Sequence, residues 1–247
     1  MIRKSALFSQ AAIAVALCSG LTFSVSACSA QGATFSRPCG VVIDGSASGA
    51  KFDATKRLND LLPGFLLDKT CKTLTFVPLD GSSQGSVCSA RDIDLNPDLG
   101  GDTDPNAVRT ERRAKALSLA ESVLACARKS PLSVGGSDIL GALARAVTQR
   151  PDGTGTYHVL VVSDLIEDDG TVNLYRTDSI GTPERRANLI SYLGQHGRIP
   201  NMTDMSLEIS DRGRNYSSNP ADSVNFTAFW AALFASKPAG NPQVKYD

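Results

Sequence analysis

The sequence predicts an α/β domain with a mostly parallel sheet, helices on both faces and an antiparallel strand at one edge. Apolar runs typical of strands alternate along the chain with longer segments of helical periodicity. The run at 40–44 is continuously apolar, as strands buried on both faces are, and 156–163 is the most apolar run of the second half. Another run, 87–95, follows a Ser/Gly turn and is therefore expected to return antiparallel, although its apolar alternation is weaker.

The first half of the chain alternates strand and helix. After the strand at 40–44, apolar side chains recur at helical spacing from Phe52 to Leu66, although Pro63-Gly64 is expected to interrupt this helix. Thr73 to Leu79 is rich in Thr, Phe and Val, which favours a strand. After the run at 87–95, an Asp-, Gly- and Pro-rich loop leads into a helix predicted from Ala107 to Lys129.

The second half continues the alternation. A helix is predicted to open at 135–138, with Ser137 or Asp138 as its cap, and to run to Gln149. The strand at 156–163 ends at Asp164. The remaining predicted elements are a helix at 183–194 that starts with Pro183, a strand at 205–209 and a helix at 221–236.

The amino terminus is predicted to be a lipoprotein signal peptide, residues 1–27. Two basic residues precede an apolar stretch that is too short and too rich in small residues for a good membrane span. The stretch ends Val25-Ser26-Ala27-Cys28, which resembles a bacterial lipobox, so Cys28 is expected to carry a lipid. The alternative is an ordinary secretory peptide cut after Ala30. Residues 28–38 then form a tether, and 39–247 one domain.

Charge and cysteine content limit the compartment and the partners. The chain has 25 basic and 25 acidic side chains, and loss of the two in the signal peptide leaves a net charge of about −2, which does not favour nucleic acid. Four cysteines remain in the predicted mature chain beside Cys28, an even number that predicts two disulfides in an exported protein. Of the three connectivities, Cys39–Cys71 with Cys88–Cys126 is favoured, because Cys39 and Cys71 each precede an apolar strand.

Three oxygen-bearing side chains follow the first strand in a D-x-S-x-S pattern: Asp44, Ser46 and Ser48. A carboxylate and two hydroxyls on one short loop suit Mg²⁺, Mn²⁺ or Ca²⁺ better than zinc or copper. Asp164 also follows a buried strand, and the carboxyl ends of neighbouring parallel strands are where ligands bind in such sheets. We therefore expect Asp44 and Asp164 to share one site.

These motifs resemble the metal-ion-dependent adhesion site of von Willebrand factor type A domains, a Rossmann-like fold. D-x-S-x-S is followed, in the family's order, by a Gly-Gly-Ser turn at Ser137 and a Ser-Asp turn at Asp164. The resemblance implies that Ser46 and Ser48 bind the metal directly, and that Ser137, Asp44 and Asp164 bind it directly or through water. It also implies that a partner protein's Asp or Glu completes the coordination, so the ion bridges two proteins.

Two positions depart from the family pattern. Ser137 stands where the family has Thr, and Leu165 stands where it has Gly. Neither change removes a ligand oxygen. Leu165 is expected to alter the backbone of its loop.

Other functions are weaker alternatives. A serine hydrolase is disfavoured because Ala47 stands where a G-x-S-x-G elbow needs serine, and both His158 and His196 are interpreted as structural. A metal-dependent hydrolase and an envelope protein with a vestigial site are the alternatives kept. The segment 94–105 only resembles the opening of an EF-hand loop, and Glu167, Asp168 and Asp169 are interpreted as an acidic surface turn.

Overall fold

The structure, a computed structural model, describes residues 34–47, 53–99, 103–131, 136–151, 155–213 and 216–246. Six strands and five helices lie within these residues. In chain order they are β1 Arg37–Asp44, α1 Ala54–Asp68, β2 Cys71–Leu79, β3 Ile93–Asp94, α2 Pro105–Lys129, α3 Ile139–Thr148, β4 Tyr157–Val162, α4 Pro183–Gln195, β5 Met205–Ser210, α5 Pro220–Phe234 and β6 Gln243–Tyr246. None of the described helices is both long enough and apolar enough to span a membrane.

The strands form one sheet in the order β3-β2-β1-β4-β5-β6. All neighbouring pairs are parallel except β2 and β3, which are antiparallel, so the predicted sheet and its antiparallel edge are confirmed. The predicted antiparallel strand covers 87–95, but the observed strand β3 is only two residues long. The segment before it does not pair with β2, because Val87 is 89 % exposed and Cys88 forms a disulfide with Cys126 of α2. The short polar strand β6 was not predicted.

Helices cover both faces of the sheet. Alternate residues of the central strands divide between two apolar cores, because side chains in a strand point alternately to opposite faces. Val41 and Ile43 of β1 pack in the core that contains α1 and α2, and Val42 packs in the core with α3, α4 and α5. This division explains why β1 carries no polar side chain from Cys39 to Ile43.

Helix α1 continues through Pro63, so the predicted interruption is wrong. A proline inside a helix destabilises it by about 3 kcal/mol. Burial of Leu62, Phe65 and Leu66 around it contributes about 1.5–3 kcal/mol for each side chain. The burial therefore outweighs the lost backbone hydrogen bond.

Both predicted disulfides are present. Cys39–Cys71 joins the amino-terminal parts of β1 and β2, and Cys88–Cys126 joins the segment after β2 to α2, each with a Cα–Cα distance of 5.7 Å. Disulfides persist in oxidising compartments, which suggests that the protein is extracytoplasmic.

The strand order places a switch point at the centre of the sheet. From β1 the chain moves to β2 on one side, and it later returns to β4 on the other side of β1. The segments that leave the carboxyl ends of β1 and β4 therefore start side by side, which is where open α/β sheets bind ligands.

Candidate metal centre

Asp44, the last residue of β1, is fully buried and is held by two serines. Its Oδ1 accepts hydrogen bonds from the backbone N of Ser46 at 2.9 Å and from Ser46 Oγ at 2.6 Å. Its Oδ2 accepts a hydrogen bond from Ser163 Oγ at 2.7 Å. Burial raises the pKa of Asp44, and the hydrogen bonds from Ser46 and Ser163 oppose that effect.

Ser137, from a distant part of the chain, also contacts Ser46. Its Oγ donates to Ser46 Oγ at 2.7 Å, although the two residues are 91 positions apart. The side chains of Ser46 and Ser137 are both buried, at 1 % and 2 % exposure. A carboxylate and two hydroxyls from two loops therefore converge at the switch point.

Backbone pairing fixes the position of Ser137. Ser137 N donates to Asp168 O at 2.6 Å, Asp168 N donates to Ser137 O at 2.8 Å, and Asp138 N donates to Asp80 O at 2.8 Å. Gly136 precedes this pairing with a φ of +140°, and a Cβ there would lie 1.8 Å from Asp168 O. Only glycine fits that position, because any side chain would push the Ser137 segment away.

The loop after β1 also depends on a close approach. A Cβ on Gly45 would lie 2.4 Å from the Cβ of Ala127 in α2. The glycine of D-G-S therefore lets the loop pack directly against the end of α2. This close packing fixes the start of the loop that carries Ser46.

Asp164 lies at the same edge, one residue beyond the position that is level with Asp44. Its Oδ1 accepts from Ile166 N at 3.0 Å, and its backbone O accepts from Gly213 N at 2.8 Å. These bonds shape the turn after β4. The structure thus links Asp44 and Ser137 through Ser46, and Asp164 lies in the turn that follows the neighbouring strand β4.

Leu165 adopts the left-handed backbone conformation that glycine takes without strain. Its φ is +60°, its side chain is fully buried, and its carbonyl accepts a hydrogen bond from Trp230 Nε1 at 3.1 Å. Its N donates to Ser163 Oγ at 3.0 Å. The backbone at Leu165 therefore keeps a conformation that glycine also adopts. The hydrogen bonds to Ser163 and to Trp230 of α5 stabilise this conformation.

Two predicted residues, Ser48 and Cys28, lie outside the described part of the chain. Ser163 was missed, although its hydroxyl is the partner of Asp44 Oδ2. The signal was the strand register: Ile43 pairs with Val162, so Ser163 follows β4 level with Asp44. The Ser-Asp motif singles out Asp164 and gives no local signal for the serine before it.

A second group of carboxylates lies next to the Ser137 segment. Asp138, Glu167 and Asp169 each offer an oxygen within 4.8 Å of the other two, so this acidic cluster can hold a metal ion. The interpretation of 167–169 as a surface turn is wrong for Glu167, which is 1 % exposed. The reason is that Leu174 N bonds to Glu167 O and Asp168 pairs with Ser137, which folds the turn onto the start of α3.

Charge is concentrated in the acidic cluster. Burial raises the pKa of Glu167 well above its ordinary value, and the nearby Asp169 and Asp138 raise it further. Arg198 is the countercharge: its Nη2 contacts Asp169 Oδ2 and lies 3.9 Å from Asp138 Oδ1.

Both histidines lie away from Asp44. His158 is near the amino end of β4, at the end of the strand away from Asp164. Its Nε2 lies 3.3 Å from Arg37 Nη1. His196 caps the carboxyl end of α4, with its Nδ1 2.8 Å from Tyr192 O.

The sequence matches no protein-family model, and no curated protein is detectably similar to it. The resemblance to type A domains therefore rests on the order of the motifs.

Proposed function

We propose that this protein binds a divalent cation at Asp44, Ser46, Ser137 and Asp164, the first site, and uses the ion to bind another protein. The observation that carries the proposal is the contact between Ser46 Oγ and Ser137 Oγ beside the carboxylate of Asp44. Two loops far apart in sequence bring hard oxygen donors together at the ligand-binding edge of the sheet.

The residues present suit a hard cation. The first site offers carboxylate and hydroxyl oxygens, which Mg²⁺, Mn²⁺ and Ca²⁺ prefer. The four cysteines of the described residues are engaged in disulfides, and both histidines lie elsewhere, so the donor set is not that of a zinc site. Ser46 and Ser137 would hold the ion, with Asp44 and Asp164 as its carboxylates.

When bound, the ion would be only partly neutralised, because few of its ligands in this protein are anionic. Its remaining positive charge would attract an Asp or Glu of the partner. Ser46 and Ser137 are nearly inaccessible, so a partner's carboxylate gains access only after local movement at this edge. We therefore expect association slower than the 10⁵–10⁷ M⁻¹s⁻¹ roughly typical of proteins that dock without rearrangement.

We place the protein in the cell envelope, held by a lipid on Cys28, on the periplasmic or outer-membrane side in a two-membrane cell. The two disulfides support an extracytoplasmic location. Metabolic labelling with a palmitate analogue tests the anchor. Labelled wild type and unlabelled Cys28→Ser are expected, and an unlabelled wild type would remove the anchor from the proposal.

Thermal unfolding in EDTA, Mg²⁺ and Mn²⁺ tests the metal site. We expect a cation to raise the Tm of wild type and to raise it less in Asp44→Ala and Ser46→Ala, because ligands that bind only the folded state stabilise it. Asp178→Asn, an exposed acidic residue away from the site, is the matched control. An equal shift in wild type and both variants would refute the site.

Partner capture tests the bridging role. Tagged protein is mixed with envelope extract in Mg²⁺ or in EDTA, and we expect a partner that is recovered only with Mg²⁺ and lost with Ser137→Ala. The same partners in EDTA would show that the ion does not bridge.

A further inference from the structure

We infer that the acidic cluster of Asp138, Glu167 and Asp169 is a second cation site, separate from the first, that binds Ca²⁺. The inference goes beyond the proposed function, because no residue of the cluster belongs to the first site. Neighbouring residues of one segment take part in the two sites: the Ser137 side chain contacts Ser46, and the next residue, Asp138, belongs to the cluster.

An unpartnered oxygen points to a ligand. Glu167 Oε2 accepts a hydrogen bond from Leu140 N at 3.0 Å, but the buried Oε1 has no hydrogen-bond partner among the described residues. A carboxylate oxygen that is removed from water without a partner is strongly destabilising, and a bound cation would satisfy it.

The three carboxylates are fixed in advance by backbone N–H groups. Gly141 N donates to Asp138 Oδ1 at 2.8 Å, and Ser83 N donates to Asp138 Oδ2 at 2.9 Å. Thr171 N and Val172 N both donate to Asp169 Oδ1 at 2.9 Å. Little ordering is therefore needed when a cation binds, because the ligands already have their positions.

Charge and spacing favour one divalent ion. Three carboxylates and the guanidinium of Arg198 have a formal net charge of −2, which one divalent cation balances. One oxygen from each of the three residues lies within 4.8 Å of the other two, so small side-chain movements allow all three to contact one ion. Ca²⁺ takes oxygen ligands at about 2.3–2.6 Å in flexible geometry, whereas Mg²⁺ needs a near-ideal octahedron at about 2.1 Å, so we assign Ca²⁺. Asp138 keeps 11 % of its side chain exposed and Arg198 keeps 33 %, so the cluster is in contact with solvent.

Calcium titration by calorimetry tests the second site. The purified protein is titrated with CaCl₂ alone, as wild type, Glu167→Gln, Asp169→Asn and Ser46→Ala. We expect Glu167→Gln and Asp169→Asn to bind one Ca²⁺ fewer than wild type, and Ser46→Ala to keep that ion. Asn and Gln retain an oxygen for the backbone N–H groups, and near-UV circular dichroism checks that each variant is folded.

Two results would overturn the inference: no Ca²⁺ binding to wild type, or the same stoichiometry in wild type, Glu167→Gln and Asp169→Asn. Failure of the first site gives a different pattern, in which Ser46→Ala binds cations as wild type does while Glu167→Gln still loses one Ca²⁺.

Discussion

Leu165 is the residue at which backbone strain and core packing oppose each other at the first site. Its φ of +60° is unfavourable for a leucine by about 1–2 kcal/mol, yet its side chain is fully buried. Truncation of a buried leucine to alanine destabilises a protein by about 2–5 kcal/mol, because contacts are lost and a cavity forms. The packing of Leu165 is therefore worth more than the strain of its backbone.

Two substitutions separate the effects. Leu165→Ala loses the packing and keeps the strain, so we expect its free energy of unfolding to fall by about 2–5 kcal/mol. Leu165→Gly loses the same packing but relieves the strain. The greater entropy of glycine in the unfolded state offsets about 0.5–1 kcal/mol of that relief. Leu165→Gly should therefore be more stable than Leu165→Ala by about 1 kcal/mol.

Urea unfolding measures both variants. Trp230, the single tryptophan, is buried beside the Leu165 carbonyl and reports the transition by fluorescence. A shift of the midpoint at constant slope gives the change in stability. A Leu165→Gly protein as stable as wild type would show that the side chain is not packed as described, and one less stable than Leu165→Ala would show that the backbone is not left-handed.

Three further predictions concern other parts of the fold. Gly136→Ala should weaken divalent-cation binding in calorimetry roughly tenfold or more, because its Cβ meets Asp168 O and displaces Ser137; unchanged affinity would contradict this. Burial and the positive charges of Arg37 and Lys69 lower the pKa of His158, so at acidic pH the unfolded state binds more protons than the folded state. Stability should therefore fall as pH decreases below about 6.5. Urea unfolding between pH 7.5 and 5.5 should show a smaller fall in His158→Gln, and an equal fall would refute the assignment. Replacing Cys88 and Cys126 by serine should lower the free energy of unfolding by about 3–4 kcal/mol for a loop of this length, and no change would show that the bond is not formed in the folded protein.

Much of the fold could be predicted because its central strands are buried on both faces. The apolar runs at β1 and β4 and the helical periodicity between strands are local patterns, and they predict the parallel sheet with its antiparallel edge. The course of α1 through Pro63 could not be predicted, since it depends on tertiary burial that outweighs a local preference.

The candidate site was partly visible in the same way. Asp44, Ser46 and Ser137 belong to short motifs, and the structure brings them into contact. Ser163 and the buried Glu167 were missed because their roles come from strand register and from a turn that folds onto α3. A run of acidic residues predicts an exposed turn, because acidic side chains are rarely fully buried. The burial of Glu167 depends on tertiary contacts that the local sequence does not show.

Magnesium binding to wild type, Ser46→Ala, Ser137→Ala and the double variant tests the central claim most directly. Calorimetry should show that each single substitution lowers the affinity by roughly tenfold or more, and that the double variant loses less than the sum of the two, because both hydroxyls hold the same ion. Equal Mg²⁺ affinity in all four proteins would contradict the claim that Ser46 and Ser137 form one metal site.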